Sequence, residues 1–105
     1  PGHALWKRDF CGGGALFSLV FEKMPRKAVA AMMDGYRLFS IGASWGGYDS
    51  LVELCHPERT AFGRKGPVWN ADNCTLVRYA IGLEDVDDLK RDFEEGFARL
   101  NTALA

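Results

Sequence analysis

The sequence predicts one α+β domain in which helices cover a small, mostly antiparallel sheet. The chain has 105 residues, the length of a single domain. Several short apolar segments have the composition of strands, whereas two segments repeat their apolar residues with the period of a helix. The order strand, helix, strands, helix is typical of this class rather than of alternating α/β folds.

The first half of the chain contains a predicted strand and a predicted helix. Residues 15–21 are almost continuously apolar and rich in aromatic and branched side chains, which favours a buried strand. Pro25 stands where the first turn of a helix tolerates proline. Apolar residues then repeat at i, i+3, i+4 and i+7, which predicts one buried helix face formed by Val29, Met32, Met33 and Tyr36. Gly35 is a plausible end of this helix.

The middle of the chain contains shorter segments. Residues 38–41 are apolar and precede a glycine-rich stretch, and residues 48–54 favour a second strand. Residues 56–73 carry charges, two glycines and two prolines without a period, which predicts a long loop. Residues 75–81 again have strand character and are followed by Gly82.

The last segment predicts an amphipathic helix. Its apolar residues recur at intervals of three or four positions, at Val86, Leu89, Phe93, Phe97, Leu100 and Leu104. Three aspartates crowd its first turns, where the helix dipole favours negative charge. We expect this stripe to pack on the core.

Composition excludes several classes of function. Thirteen basic and fourteen acidic residues balance, and no Lys/Arg run indicates a nucleic-acid partner. The apolar runs are too short to cross a membrane, so a cytoplasmic protein is expected. The three cysteines form no CxxC pair and no even framework, which favours reduced thiols. The cysteines and histidines lack the spacing of a metal site, and no metal is expected.

Arg78 stands out because it interrupts an apolar strand. It shares a strand face with Leu76 and Ala80. A buried guanidinium stays charged and needs an anionic partner, for which a carboxylate is best suited because two parallel hydrogen bonds can form. The alternative is an arginine near a strand end that reaches solvent or pairs with Glu84 or Asp85.

A second candidate is the glycine-rich stretch at residues 42–48. Its glycines allow backbone to approach a ligand, while Ser44 and Trp45 offer a hydroxyl and a large flat surface. The alternative is a tight turn between two strands.

Four motifs in the same order resemble one enzyme family. They are residues 5–10 (LWKRDF), 16–18 (LFS), 44–48 (SWGGY) and 78–89 (RYAIGLEDVDDL). Together they resemble the C-terminal part of the Cys/Met-metabolism PLP-dependent enzymes, and within that family the bacterial cystathionine β-lyases. The resemblance extends from about Trp6 to Leu100 and implies the small C-terminal domain of a fold-type-I PLP enzyme over residues 1–105.

The resemblance implies roles for the residues singled out above. Arg78 matches the family arginine that binds the substrate α-carboxylate. Ser44 matches a serine close to the catalytic lysine and the substrate. Trp45 matches the β-lyase pattern, where γ-acting relatives usually carry a smaller aliphatic side chain.

The resemblance also implies an activity for the intact parent enzyme. Such an enzyme would cleave L-cystathionine by β-elimination to homocysteine, pyruvate and ammonia, as a homotetramer. The lysine, phosphate loop and aspartate that hold PLP belong to a larger preceding domain, and no lysine here lies in the family's Ser-x-Thr-Lys context. We therefore expect residues 1–105 alone to bind no PLP, to contain no catalytic residue and to be inactive.

Two alternatives remain open at this point. The parent could be a γ-acting member of the same family, of the γ-lyase or γ-synthase type. The chain could also be a domain that binds an amino acid or a partner protein without catalysis.

Overall fold

The computed structural model describes residues 1–59 and 70–105, which form a four-stranded sheet with two helices packed on it and a third outside the core. The elements in chain order are α1 (His3–Asp9), β1 (Leu16–Glu22), α2 (Arg26–Met33), β2 (Ser40–Ile41), β3 (Leu51–Cys55), a 3-10 turn (Pro57–Arg59), β4 (Cys74–Ala80) and α3 (Val86–Leu104). The α+β class predicted from the sequence is confirmed.

The strands lie in the order β1-β4-β3-β2. Strand β4 is antiparallel to both β1 and β3, and only the two-residue strand β2 runs parallel to its neighbour. The sheet is therefore mostly antiparallel, as predicted. In an antiparallel pair, directly opposite residues point to the same face, so the pairing register decides which side chains meet.

One face of the sheet forms the core with helices α2 and α3. Tyr79, Val77 and Val52 are fully buried on this face. They pack with the apolar sides of both helices, in a cluster completed by Ala28, Val29, Met32, Met33, Phe39, Leu89 and Leu100. Each large apolar side chain that is fully buried contributes roughly 1.5–3 kcal/mol. The rings of Tyr79 and Phe93 lie 4.6 Å apart between centroids, so the centre of the core is aromatic.

Helix α3 begins at Val86, where the aspartates in the sequence predicted a helix start. The Asp85 side chain accepts hydrogen bonds from the backbone N–H groups of Asp87 and Asp88, which satisfies two of the free donors at the helix start. The ends of the predicted apolar stripe do not reach the core, because Val86 and Leu104 are 62% and 47% exposed. The stripe is therefore shorter than its periodicity suggested.

Helix α2 is also shorter than predicted. It ends at Met33, and Tyr36 lies in the segment that follows, with its hydroxyl 2.9 Å from that of Tyr79. The reason is that a carboxylate of helix α3, Asp92, accepts the backbone N–H groups of residues 37–39. These N–H groups are therefore not available for the backbone hydrogen bonds that would continue helix α2. Tyr36 still joins the core, but not as part of a helical face.

The strand predicted at residues 15–21 forms as β1, but the prediction that it is buried was wrong, because β1 is an edge strand and none of its residues is buried. Helix α1 was not predicted, and all its residues are exposed. Strand β3 begins at Leu51, three residues later than expected. The predicted loop at residues 56–73 contains the 3-10 turn and a turn from Asn70 into β4, while residues 60–69 lie outside the described part of the chain. None of the described helices is both long and apolar enough to cross a membrane.

Candidate functional site

The face of the sheet opposite the helices carries the predicted site residue Arg78. We call this the open face, because none of its described residues belongs to the hydrophobic cluster that the sheet forms with helices α2 and α3. Across three strands, Ser18, Arg78 and Glu53 form one row, since the register places Ser18 and Glu53 directly opposite Arg78 on its two sides. Apolar side chains surround the row, and two of them, Leu16 and Val20, are each 41% exposed.

One nitrogen of Arg78, Nη2, makes both of the described contacts of this side chain. Its Nη2 lies 2.8 Å from Oε2 of Glu53, and both side chains are partly exposed, at 24% and 34%. The same Nη2 donates a hydrogen bond to the backbone carbonyl of Ala43. Arg78 thus has a carboxylate partner, as its chemistry required, but the predicted alternative partners were wrong. Glu84 binds Ser50 instead, and Asp85 caps helix α3.

The Ala43 carbonyl connects Arg78 to the loop between β2 and β3, which contains Ser44 and Trp45. Ser44 follows Ala43 directly, so the guanidinium lies beside the peptide that begins the SWGGY motif. Ser44 is exposed, and Trp45 is 61% exposed. Gly46 has a φ of 79°, a left-handed conformation that favours glycine. The structure therefore brings the backbone before Ser44 to Arg78, while both predicted side chains project towards solvent.

The far end of the same loop is fixed by a hydrogen-bond cluster. The backbone N–H and the hydroxyl of Ser50 donate to Glu84 at 2.9 and 2.6 Å, and the N–H of Gly82 donates to the Ser50 hydroxyl at 2.8 Å. A side chain at Gly82 would collide with the backbone carbonyl of Tyr48. Partial desolvation raises the pKa of Glu84, but the hydrogen bonds from Ser50 outweigh it, and the pKa lies below its ordinary value.

Two other groups of the sheet have raised pKa values. Burial, followed by the charge of Glu53, raises the pKa of the Cys55 thiol. Burial also raises the pKa of Tyr79, and the hydrogen bond with Tyr36 adds to that shift. The thiol and the phenol therefore stay protonated. Arg78 is the one cationic residue of strands β1, β3 and β4, and its guanidinium has the chemistry to bind an anion.

Glu53 is the site residue that sequence reasoning missed. It is the single acidic residue of strand β3, LVELC, just as Arg78 is the single basic residue of strand β4, CTLVRYA. Two opposite charges, each alone within an apolar strand, were a signal for a cross-strand pair. The sequence could not supply the register that places them directly opposite each other.

Known proteins resemble this chain along nearly its whole length. Residues 1–98 match the family described as Cys/Met metabolism PLP-dependent enzyme. The chain is 50% identical to a cystathionine beta-lyase of Salmonella typhimurium and 48% identical to one of Escherichia coli, in each case over 94% of this chain and 25% of the relative. A crystal structure of cystathionine gamma synthase from Xanthomonas oryzae pv. oryzae, in complex with cystathionine, matches with a TM-score of 0.75 at 36% identity, over 99% of this chain and 27% of that chain. The chain thus spans about a quarter of the length of these proteins, and it belongs to the family of Cys/Met-metabolism PLP-dependent enzymes.

Proposed function

We propose that this chain is the C-terminal domain of a PLP-dependent carbon–sulfur lyase that cleaves L-cystathionine by β-elimination to homocysteine, pyruvate and ammonia. The observation that carries the proposal is Arg78, a guanidinium on the open face of the sheet beside the SWGGY loop. The 50% identity to a cystathionine beta-lyase supports this substrate.

Arg78 binds the α-carboxylate of the substrate in this proposal. Both of its described contacts use Nη2, so the N–H groups of Nη1 or of Nε can donate to an incoming carboxylate. The guanidinium stays protonated at any physiological pH, so the site is ready for an anion without a proton transfer. Binding at this point fixes the substrate relative to the sheet and orients its Cβ–S bond.

Ser44 and Trp45 line the substrate side in this proposal. The Ser44 hydroxyl is a hydrogen-bond donor and acceptor one residue from the carbonyl that Arg78 holds. The Trp45 indole is a flat apolar surface that excludes water and limits the room around a small substrate. Both side chains are exposed here and free to meet a ligand or another part of the enzyme.

In this proposal, residues 1–105 do not hold PLP by themselves. The strands of the open face contain no lysine, and among the described lysines Lys23 donates its Nζ to the carbonyl of Ala71 while Lys7, Lys27 and Lys90 lie on helices. We therefore place the cofactor lysine in a preceding domain of the intact enzyme. PLP supplies the electron sink for elimination, and this chain supplies carboxylate recognition.

A second candidate is a γ-acting enzyme of the same family. The matching crystal structure is that of a cystathionine gamma synthase, so the fold by itself does not decide between β- and γ-elimination. The higher identity to the beta-lyases and the presence of Trp45 favour β-elimination.

The test uses the intact enzyme with PLP and L-cystathionine. β-Elimination releases pyruvate, whereas γ-elimination releases 2-oxobutanoate, and chromatography separates the two keto acids. We expect pyruvate. Replacing Arg78 with Ala should lower kcat/KM about a hundredfold, because a charge-assisted contact with the substrate carboxylate is lost. Arg78→Lys should also fail, since an ammonium lacks the planar, extended donor set of a guanidinium.

The matched control is Arg91→Ala. Arg91 is exposed on helix α3 and pairs only with Asp88 among the described residues, so its loss should leave kcat/KM unchanged. Release of 2-oxobutanoate would overturn the β-elimination proposal. An Arg78→Ala enzyme with normal kcat/KM would overturn the role of Arg78.

A further inference from the structure

The contact between Glu53 and Arg78 holds the guanidinium in position as well as balancing its charge. The two residues lie directly opposite each other on β3 and β4, so their side chains leave the sheet side by side. Glu53 Oε2 lies 2.8 Å from Nη2 in a close ion pair. Glu53 therefore holds one end of the guanidinium from the neighbouring strand.

The second contact of Nη2 comes from a different element. The Ala43 carbonyl, which accepts a hydrogen bond from Nη2, belongs to the loop between β2 and β3, and Glu53 belongs to strand β3 itself. Two separate elements therefore contact the same end of the guanidinium. A free arginine side chain must lose rotamer entropy before it can bind a carboxylate in one geometry, and these two contacts already restrict that freedom.

We propose that Glu53 is a positioning residue for carboxylate recognition: as the cross-strand ion-pair partner of Arg78, it holds the guanidinium in place on the open face for the ligand. This inference rests on the proposed function of Arg78 and deepens it. Glu53 does not touch the substrate in this arrangement. It acts by holding Nη2, and Nη2 in turn donates to the Ala43 carbonyl next to Ser44.

The length of the Glu53 side chain matters more than its charge in this proposal. A glutamine has the same length and offers an amide oxygen to Nη2, so it preserves the geometry. An aspartate keeps the charge but is one methylene shorter, so it no longer reaches Nη2. A leucine fills similar space and accepts no hydrogen bond. The three substitutions therefore separate position from electrostatics.

The opposing possibility is that Glu53 competes with the substrate. A carboxylate already on Arg78 could repel a second one, and its removal would then strengthen substrate binding. Competition predicts a lower KM in Glu53→Leu and in Glu53→Gln. Positioning predicts a higher KM in Glu53→Leu and an almost unchanged KM in Glu53→Gln.

The experiment measures kcat and KM of the intact PLP-loaded enzyme for whichever keto-acid-releasing reaction L-cystathionine undergoes. We expect Glu53→Leu and Glu53→Asp to raise KM about tenfold, with kcat changed less, because the close contact that positions the guanidinium is lost. Glu53→Gln should stay within about twofold of wild type. Glu22→Leu is the control, since Glu22 is exposed on the same face at the far end of β1, opposite Cys74.

The outcomes separate this inference from the proposed function. If Arg78→Ala loses activity while Glu53→Leu keeps or lowers KM, the positioning role alone is overturned. A normal Glu53→Asp beside an impaired Glu53→Gln would also overturn it, in favour of an electrostatic effect. If Arg78→Ala is unaffected, both proposals fall. Should Glu53→Leu not fold, as judged by circular dichroism and PLP content, the order of the Asp and Gln variants decides.

Discussion

The backbone N–H of Leu38 donates to Oδ2 of Asp92 at 2.8 Å, which joins the segment after helix α2 to helix α3. The N–H of Arg37 reaches both oxygens of the same carboxylate, at 3.0 and 3.1 Å. Asp92 is only 4% exposed, so these donors and the carboxylate satisfy one another away from water. One side chain thus fixes the course of the chain as it enters strand β2.

Asp92→Ala should lower the free energy of unfolding of the purified chain by about 3 kcal/mol, because several backbone N–H groups lose their acceptor in a largely buried place. Asp92→Asn should cost less, since the amide keeps one acceptor oxygen. Urea unfolding followed by circular dichroism measures both. Glu94→Ala, at an exposed position on the same helix, is the control. A loss below about 1 kcal/mol for Asp92→Ala would contradict this role.

The lowered pKa of Glu84 predicts a pH-dependent contribution to stability. Because the folded state lowers this pKa, the contribution is complete above the ordinary value of 4.5 and is lost as the pH falls through the folded value. Glu84→Gln should therefore be less stable than wild type at neutral pH, and the difference should shrink towards about pH 3. Urea unfolding at both pH values measures the change. An equal difference at both would contradict it.

Gly82→Ala should disturb the end of the SWGGY loop. The added carbon would overlap the backbone carbonyl of Tyr48, and a backbone atom in a paired segment has little room to move. We expect a loss of roughly 2 kcal/mol or more in the free energy of unfolding, from strain and from the weakened bond to Ser50. Gly47→Ala is the matched control, because nothing lies within 4 Å of the position of its new carbon. Equal stability of the two variants would refute the expected clash.

Trp45→Leu should weaken β-elimination in the intact enzyme more than it weakens cofactor binding. Leucine offers less flat surface beside the substrate, so we expect roughly a tenfold loss of kcat/KM, or about 1.4 kcal/mol of contact. Pyruvate release from cystathionine measures the first quantity, and titration with PLP measures the second. Unchanged kcat/KM would remove Trp45 from the substrate side.

The fold could be predicted because its signals are local. The strand around Val77 can be recognised from its composition, and the helix around Leu89 from the spacing of its apolar residues. The missed features depend on contacts between distant segments. Tyr36 left the predicted helix because Asp92, far along the chain, takes the N–H groups that helix α2 would need. Glu53 was missed for the same reason, since only the register of β3 and β4 makes it the partner of Arg78.

The strand order has a consequence for how the chain folds during synthesis. Strand β4 is the last strand in the sequence, yet it lies between β1 and β3, and Leu16 of the first strand pairs with Ala80 of the last. On the ribosome, β1 and β3 therefore emerge before the strand that both of them need. Among the described strand pairings, the two-residue contact between β2 and β3 is the one available earlier. Such long-range pairing is slow to form, and the apolar strands stay exposed to other chains until translation has passed residue 80.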